Sequence, residues 1–143
     1  MSLMYFEGTS DYVLATPAII TTFEASGSIT PGRFVCFNSA TDQRVHVPNS
    51  SYIYSHGVAT PPAGLAIQTV ATGDPCPVVV FGYCKNIATL GATAVTYITC
   101  MLTVSGAGYV FPTSSAVYKH LGTVGRAISG SASKCIAFVN TMC

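Results

Sequence analysis

Apolar residues along this chain come in short runs, and nearly every run is closed by a turn dipeptide. Pro31-Gly32 precedes Arg33–Phe37, and Asn38–Asp42 separates that run from Arg44–Val47. Proline presets φ for a turn and glycine tolerates positive φ, so Pro31-Gly32 predicts a tight turn beside a strand. The remaining runs are Ala18–Phe23, Ser55–Ala59, Leu65–Val70, Val78–Cys84, Thr93–Val104, Leu121–Ile128 and Cys135–Val139. Breaks fall at Pro48–Ser51, Pro61-Pro62, Gly73-Asp74-Pro75, Gly106-Ala107-Gly108 and Ser129-Gly130-Ser131. The unbroken apolar stretch Val78-Val79-Val80-Phe81 suits a strand buried on both faces. Runs of this length with turn signals at this spacing predict an all-β fold, a single compact β-sandwich or β-barrel. No repeat and no charged linker marks a second domain.

One segment admits a second reading. Asn86–Tyr118 carries no charge, which raises the question of a membrane span. A spanning helix needs about 20 mostly apolar residues, and here threonines, glycines and Pro112 interrupt the run. Val95-Thr96-Tyr97-Ile98-Thr99 is β-branched or aromatic throughout and favours pleated strand. Thr96, Thr99 and Thr103 also fall at helical spacing, so periodicity alone leaves a helix open there. Met1–Gly8 lacks the basic patch and apolar core of a secretory signal. Neither a membrane nor export is expected.

Charge changes the picture more than any motif. With 143 residues and 8% charged side chains, the chain has far fewer charges than the roughly 25% of ordinary soluble domains. A domain this small cannot bury half its residues, so Ser, Thr, Ala, Gly and Tyr must cover much of its surface. A net charge of +1 gives copies little mutual repulsion, and such a chain is suited to association. Arg33, Arg44, Lys85, Lys119, Arg126 and Lys134 are scattered singly, so no basic stripe for nucleic acid forms in sequence.

The search for chemistry returns little. Glu7, Asp11, Glu24, Asp42 and Asp74 form no pair flanking a reactive centre, and neither a G-x-S-x-G elbow nor a phosphate loop is present. Gly106-x-Gly108 lacks the third glycine of a dinucleotide site. His56 beside Gly57 could serve as a general base, although a lone histidine at a strand start more often serves structure. Six cysteines, Cys36, Cys76, Cys84, Cys100, Cys135 and Cys143, include no C-x-x-C pair. Buried, reduced thiols acting as small hydrophobes are the plainer reading; a bridge, or a site with His46, His56 or His120, is the alternative. Cys143 is expected to be the most exposed thiol. No catalytic residue, cofactor site or metal site is assigned, and an enzyme is not expected.

Ile29-Thr30-Pro31-Gly32-Arg33-Phe34-Val35, then His56-Gly57-Val58-Ala59, then Val78–Phe81, resembles small head decoration proteins of tailed bacteriophages, also called capsid cement or stabilisation proteins. The ending, Val124-Gly125-Arg126-Ala127-Ile128, a small-residue turn and Lys134–Val139, looks like that family too. The resemblance covers Ala25–Asn140 as an order of turns and strands, and departs from the family in its cysteines and in neutral Ser129 and Ser131. It implies a non-enzymatic protein on the outer surface of the virion's head, a homotrimer bound to the major capsid protein. Residues 1–25 then read as an N-terminal arm and residues 26–143 as a β-rich decoration domain. Within the arm, Tyr5, Phe6 and Tyr12 are candidate capsid-binding anchors, since aromatic side chains bury large areas at small entropic cost. The same rings could equally cover the protein's own core. Two other classes share the composition: a tail or baseplate β-module, and a small-molecule-binding barrel lined by Tyr52, Tyr54 and Tyr83.

Overall fold

The unbroken apolar stretch Val78–Phe81 lies in the strand that organises the sheet. The computed structural model describes residues 3–5, 11–14, 18–38, 42–48, 62–89, 101–104, 108–112, 125–130 and 133–141. Ten strands occur among them: β1 (Leu3–Tyr5), β2 (Ile19–Glu24), β3 (Phe34–Phe37), β4 (Val45–His46), β5 (Pro62–Ala66), β6 (Pro75–Ala88), β7 (Met101–Val104), β8 (Val110–Pro112), β9 (Gly125–Gly130) and β10 (Lys134–Asn140). Every strand pair is antiparallel, and no α-helix occurs among the described residues. The all-β expectation is met.

The order along the sheet is β4-β3-β5-β6-β10-β9-β7-β8, with β2 on the other edge of β6 and β1 on β2. The 14-residue β6 therefore serves two halves. Its first half pairs with β2 and β5, its second with β10. Single bridges bring the far strands back toward the middle: Ala25 after β2 meets Val45 of β4, and Thr89 after β6 meets Val110 of β8. Each half thus curls on itself, which protects edges that would otherwise template aggregation.

Two apolar clusters fill the halves. One joins Ile20, Phe34, Leu65, Val79, Cys84 and Val110 with the inward row Cys135, Ala137 and Val139 of β10. The other joins Val35, Val45, Ala66, Cys76, Val78 and Val80. Val79 points into the first and its neighbours Val78 and Val80 into the second, so the run is buried on both faces as its sequence predicts.

Two departures from the sequence reading have simple causes. The strand expected at Leu65–Val70 starts at Pro62 and ends at Ala66. Pro62 is tolerated because a strand's first residue need not donate to a ladder. The Ser129-Gly130 turn is instead the end of β9, where Gly130 pairs with Cys135. The hairpin expected around Asn38–Asp42 forms as read: Cys36 pairs with His46, Phe37 with Val45, and the Asn38 amide donates to the Arg44 carbonyl at 2.9 Å. The runs at Ser55–Ala59 and Thr93–Thr99 lie outside the described residues.

A bulge at the end of β6 ties the N-terminal segment to the body. Cys135 pairs with Ile87 but Ala137 with Cys84, so β6 carries one residue more than β10 there. Asn86 accommodates it with φ 57°, a left-handed conformation that asparagine tolerates better than most residues. Its Nδ2 donates to the Asp11 carbonyl at 2.6 Å. The Pro31-Gly32 turn docks beside it, with the Ala88 amide donating to the Gly32 carbonyl at 2.8 Å. Gly32 has φ +82°, and an added Cβ would stand 2.8 Å from the Asn86 carbonyl oxygen and 3.1 Å from the Tyr12 ring.

One buried polar atom runs against the rule that interiors are satisfied. Thr21 is 1% exposed and its hydroxyl has no partner among the described residues. Valine keeps the shape and removes the desolvated hydroxyl, so Thr21→Val is expected to stabilise by about 1 kcal/mol. A rise in melting temperature of about 3 °C is the corresponding readout. A fall would show that the hydroxyl has a partner after all.

Candidate functional site

The β3–β4 hairpin carries a network of side-chain hydrogen bonds. Asp42 forms an ion pair with Arg44 at 2.8 Å and accepts from the Asn38 amide at 2.9 Å. Ser26 donates to Asn38 Oδ1 at 2.7 Å. The Arg44 hydrogen bond, with Asn38 next, holds the Asp42 carboxyl well below the usual carboxylate range. These groups are exposed or half-buried and fasten a turn.

Of the pairings proposed between cysteine and histidine, the structure makes one. Cys36 Sγ stands 3.7 Å from His46 Nε2 across the hairpin, whereas His56 and His120 lie outside the described residues. Burial lowers the His46 pKa, with Asp42 opposing, so the imidazole is neutral at pH 7. Cys36 is only 5% exposed, which denies a substrate access to the sulfur. Cys76, Cys84 and Cys135 are also buried. Burial pushes the Cys76 thiol up to about 11 and Cys84 up to about 12, which makes both poor nucleophiles at neutral pH. Cys100 and Cys143 lie outside the described residues. No cluster of three or more metal-ligating side chains occurs among the described residues.

The proposed anchors fall in three different settings. Tyr5 ends β1, where it pairs with Ile19 of β2. Phe6 lies outside the described residues. Tyr12 is half-buried beside Gly32, and its carbonyl accepts from the Lys85 amide at 2.9 Å. Val13 next to it is buried and bridges to Cys84. Residues 18–25, assigned to the arm from sequence, include β2 in the body of the sheet, with Ala18, Ile20 and Ala25 fully buried.

A surface that sequence reading missed lies on the outer side of β6 and β10. Phe81 and Phe138 stack edge to face at 4.9 Å, and Tyr83 meets Phe138 at 5.1 Å. Phe81 is 37% and Tyr83 45% exposed, so Tyr83 faces solvent and not the interior of a ligand-holding barrel. Tyr52 and Tyr54 lie outside the described residues. The signal was present as alternation: Phe81 and Tyr83 are two apart on one strand, and β6 changes environment between them and Val80. That change follows from a register shift near Ile19 and Ile20, where β6 carries an extra residue. The Arg33 guanidinium donates to the Tyr109 hydroxyl at 2.8 Å and lies 4.6 Å from its ring centroid.

What these features define is an antiparallel all-β protein with a surface rich in aromatic rings and poor in charge. No family model and no curated protein matches the chain. Among solved structures it is similar to the N base of the head fiber gp8.5 of bacteriophage phi29, with a TM-score of 0.53 and 16% identity over 85% of this chain and 93% of that one. At that identity the likeness concerns the fold. No helix among the described residues is long and apolar enough to cross a membrane.

Proposed function

We propose that this protein is a structural component of a tailed-phage virion, a non-enzymatic decoration or cement protein on the outer surface of the mature head. In this reading it joins neighbouring major capsid protein subunits, as an oligomer with the trimer favoured. The observation that carries the reading is the shared fold with a phage head fiber base over most of both chains. The order of turns and strands from Ala25 to Asn140 supports it independently. Stabilisation then works by mass action: a ligand that binds only the expanded lattice favours that lattice, and many copies repeat the gain. Tyr5 and Phe6 are the proposed shell anchors, and Tyr12 contributes from the base of the same segment.

Co-sedimentation with expanded, undecorated heads of the same phage tests the reading, with unexpanded proheads as control. Saturable binding to expanded heads alone, at a fixed ratio to the capsid subunit, is expected. Binding to neither particle would overturn it. The anchors need point changes, since truncation to Thr16 would remove buried Val13 and the Tyr12 carbonyl that holds β6. Tyr5→Ala with Phe6→Ala should weaken shell binding roughly tenfold or more while the melting temperature holds. Undiminished binding would remove the arm from the interface.

A further inference from the structure

The four exposed large hydrophobics among the described residues, Leu14, Phe81, Tyr83 and Ile128, all lie in the half built around the end of β6. The register places them together. Leu14 donates its amide to the Tyr83 carbonyl at 2.9 Å, Tyr83 pairs with Phe138, and Phe138 pairs with Arg126. A row of Leu14, Tyr83, Phe138 and Arg126 therefore crosses three strand boundaries on one face, with Phe81 beside it. The strands β6, β9 and β10 contribute Lys85, Arg126 and Lys134 and not a single carboxylate. Asp11, whose carbonyl accepts from Asn86 at the bulge, is an acid bordering this end.

The opposite end of β6 has the complementary character. Glu24 pairs with Pro75, and the Asp74 carbonyl accepts from the Ala25 amide at 3.0 Å. Asp42 and Arg44 sit on the adjoining hairpin, where Glu24 acts on Arg44. This end also carries a half-exposed aromatic pair, Phe23 and Phe37, edge to face at 5.0 Å. Phe81 and Tyr83 stand further along β6 than Pro75, the partner of Glu24, and at about 3.3 Å per residue roughly 20–26 Å separates the two surfaces. That exceeds the Debye length of about 8 Å at physiological salt, so within one copy the two ends interact little.

We propose that the Phe81–Tyr83–Phe138 face of one copy docks on the acidic β2–β3–β4 end of a second copy. Aromatic rings at the centre and unlike charges at the rim are what specific interfaces use. Pairing the face with its own image would instead set Arg126, Lys85 and Lys134 against their like. The contact is therefore between unlike surfaces, and it closes into a ring or an antiparallel pair according to the rotation it imposes. It rests on the self-association half of the reading above and is independent of shell binding, so the two experiments fail separately.

The test is sedimentation velocity on the full chain. Tyr83→Ser with Phe138→Ser disables the face, and Glu24→Lys with Asp74→Lys disables the acidic end; all four positions are exposed or half-buried. The wild type is expected to sediment as an oligomer, each variant as a monomer, and high salt to weaken the wild-type complex. Mixed in equal amounts, the two variants are expected to form a one-to-one dimer, because each retains the surface the other lacks. A monomeric wild type would overturn the proposal, as would variants that still assemble. A mixture that stays monomeric would likewise overturn it, and an acidic-end variant that still dimerises on its own would show that the face pairs with itself. Should the serine variant lose its fold, Arg126→Glu with Lys134→Glu replaces it, with the same expected pattern.

Discussion

Replacing Phe34 with alanine is expected to lower the unfolding free energy by about 4 kcal/mol. Phe34 is 1% exposed and heads the fully buried side chains by volume. It lies opposite Leu65 in the β3–β5 ladder and belongs to the cluster that also holds Cys84, Val110, Ala127 and Val139. The cluster to which the ring belongs joins strands of both halves, and its loss leaves a cavity in that shared core. A domain of this size has about 5–15 kcal/mol of stability, so the variant should sit near the edge of folding. The urea midpoint is the measurement, and Phe23→Ala is the control. Phe23 is half-buried against the other cluster and should cost much less, because part of its surface already meets water. Equal losses at the two positions would show that the cores are not divided as described.

The contrast between those phenylalanines shows what the sequence makes legible. Turns and runs were readable because they depend on local chemistry: Pro31-Gly32 turns, the strands flanking Asn38–Asp42 pair, and Val78–Val80 packs on both sides. Strand ends were less legible where proline was involved. Pro62 and Pro75 read as breaks but stand as the first residues of β5 and β6, since a proline harms a strand only where its missing N–H is needed. The arm boundary at residue 25 had no local marker either, because Ala18–Glu24 joins the sheet through partners some 55 residues away in sequence. The aromatic face was hidden for the same reason. Phe81, Tyr83 and Phe138 meet only after β10 returns beside β6, and their exposure depends on a register shift at Val80 that no composition predicts. Lys85, Arg126 and Lys134, scattered in sequence, are collected by the same pairing. Cys36 and His46 illustrate the converse: both residues were candidates, but only the hairpin register shows that they face each other with the sulfur shut away from solvent.

Gly108→Val is expected to be strongly destabilising although the position has no side chain to lose. Gly108 has φ +77°, a left-handed conformation that costs most residues about 1–2 kcal/mol and a β-branched one more. Space forbids a side chain as well, for an added Cβ would run into the Phe34 carbonyl oxygen and press at 3.1 Å on the Arg33 Cβ. Backbone oxygen cannot rotate away as a flexible side chain can, so the Gly108–Pro112 segment has to lift from β3. That movement also withdraws Tyr109 from the Arg33 guanidinium and Val110 from its bridge to Thr89, the contact that returns β8 to the central strand. Strain and overpacking together should cost about 3 kcal/mol or more. Gly73→Val supplies the comparison. Gly73 has φ +90° but open space around an added Cβ, so it isolates conformational strain from the clash. A much larger loss of melting temperature at 108 than at 73 is the expected result. Equal losses would mean that backbone conformation alone sets the cost and that the β8 segment is not pressed against β3.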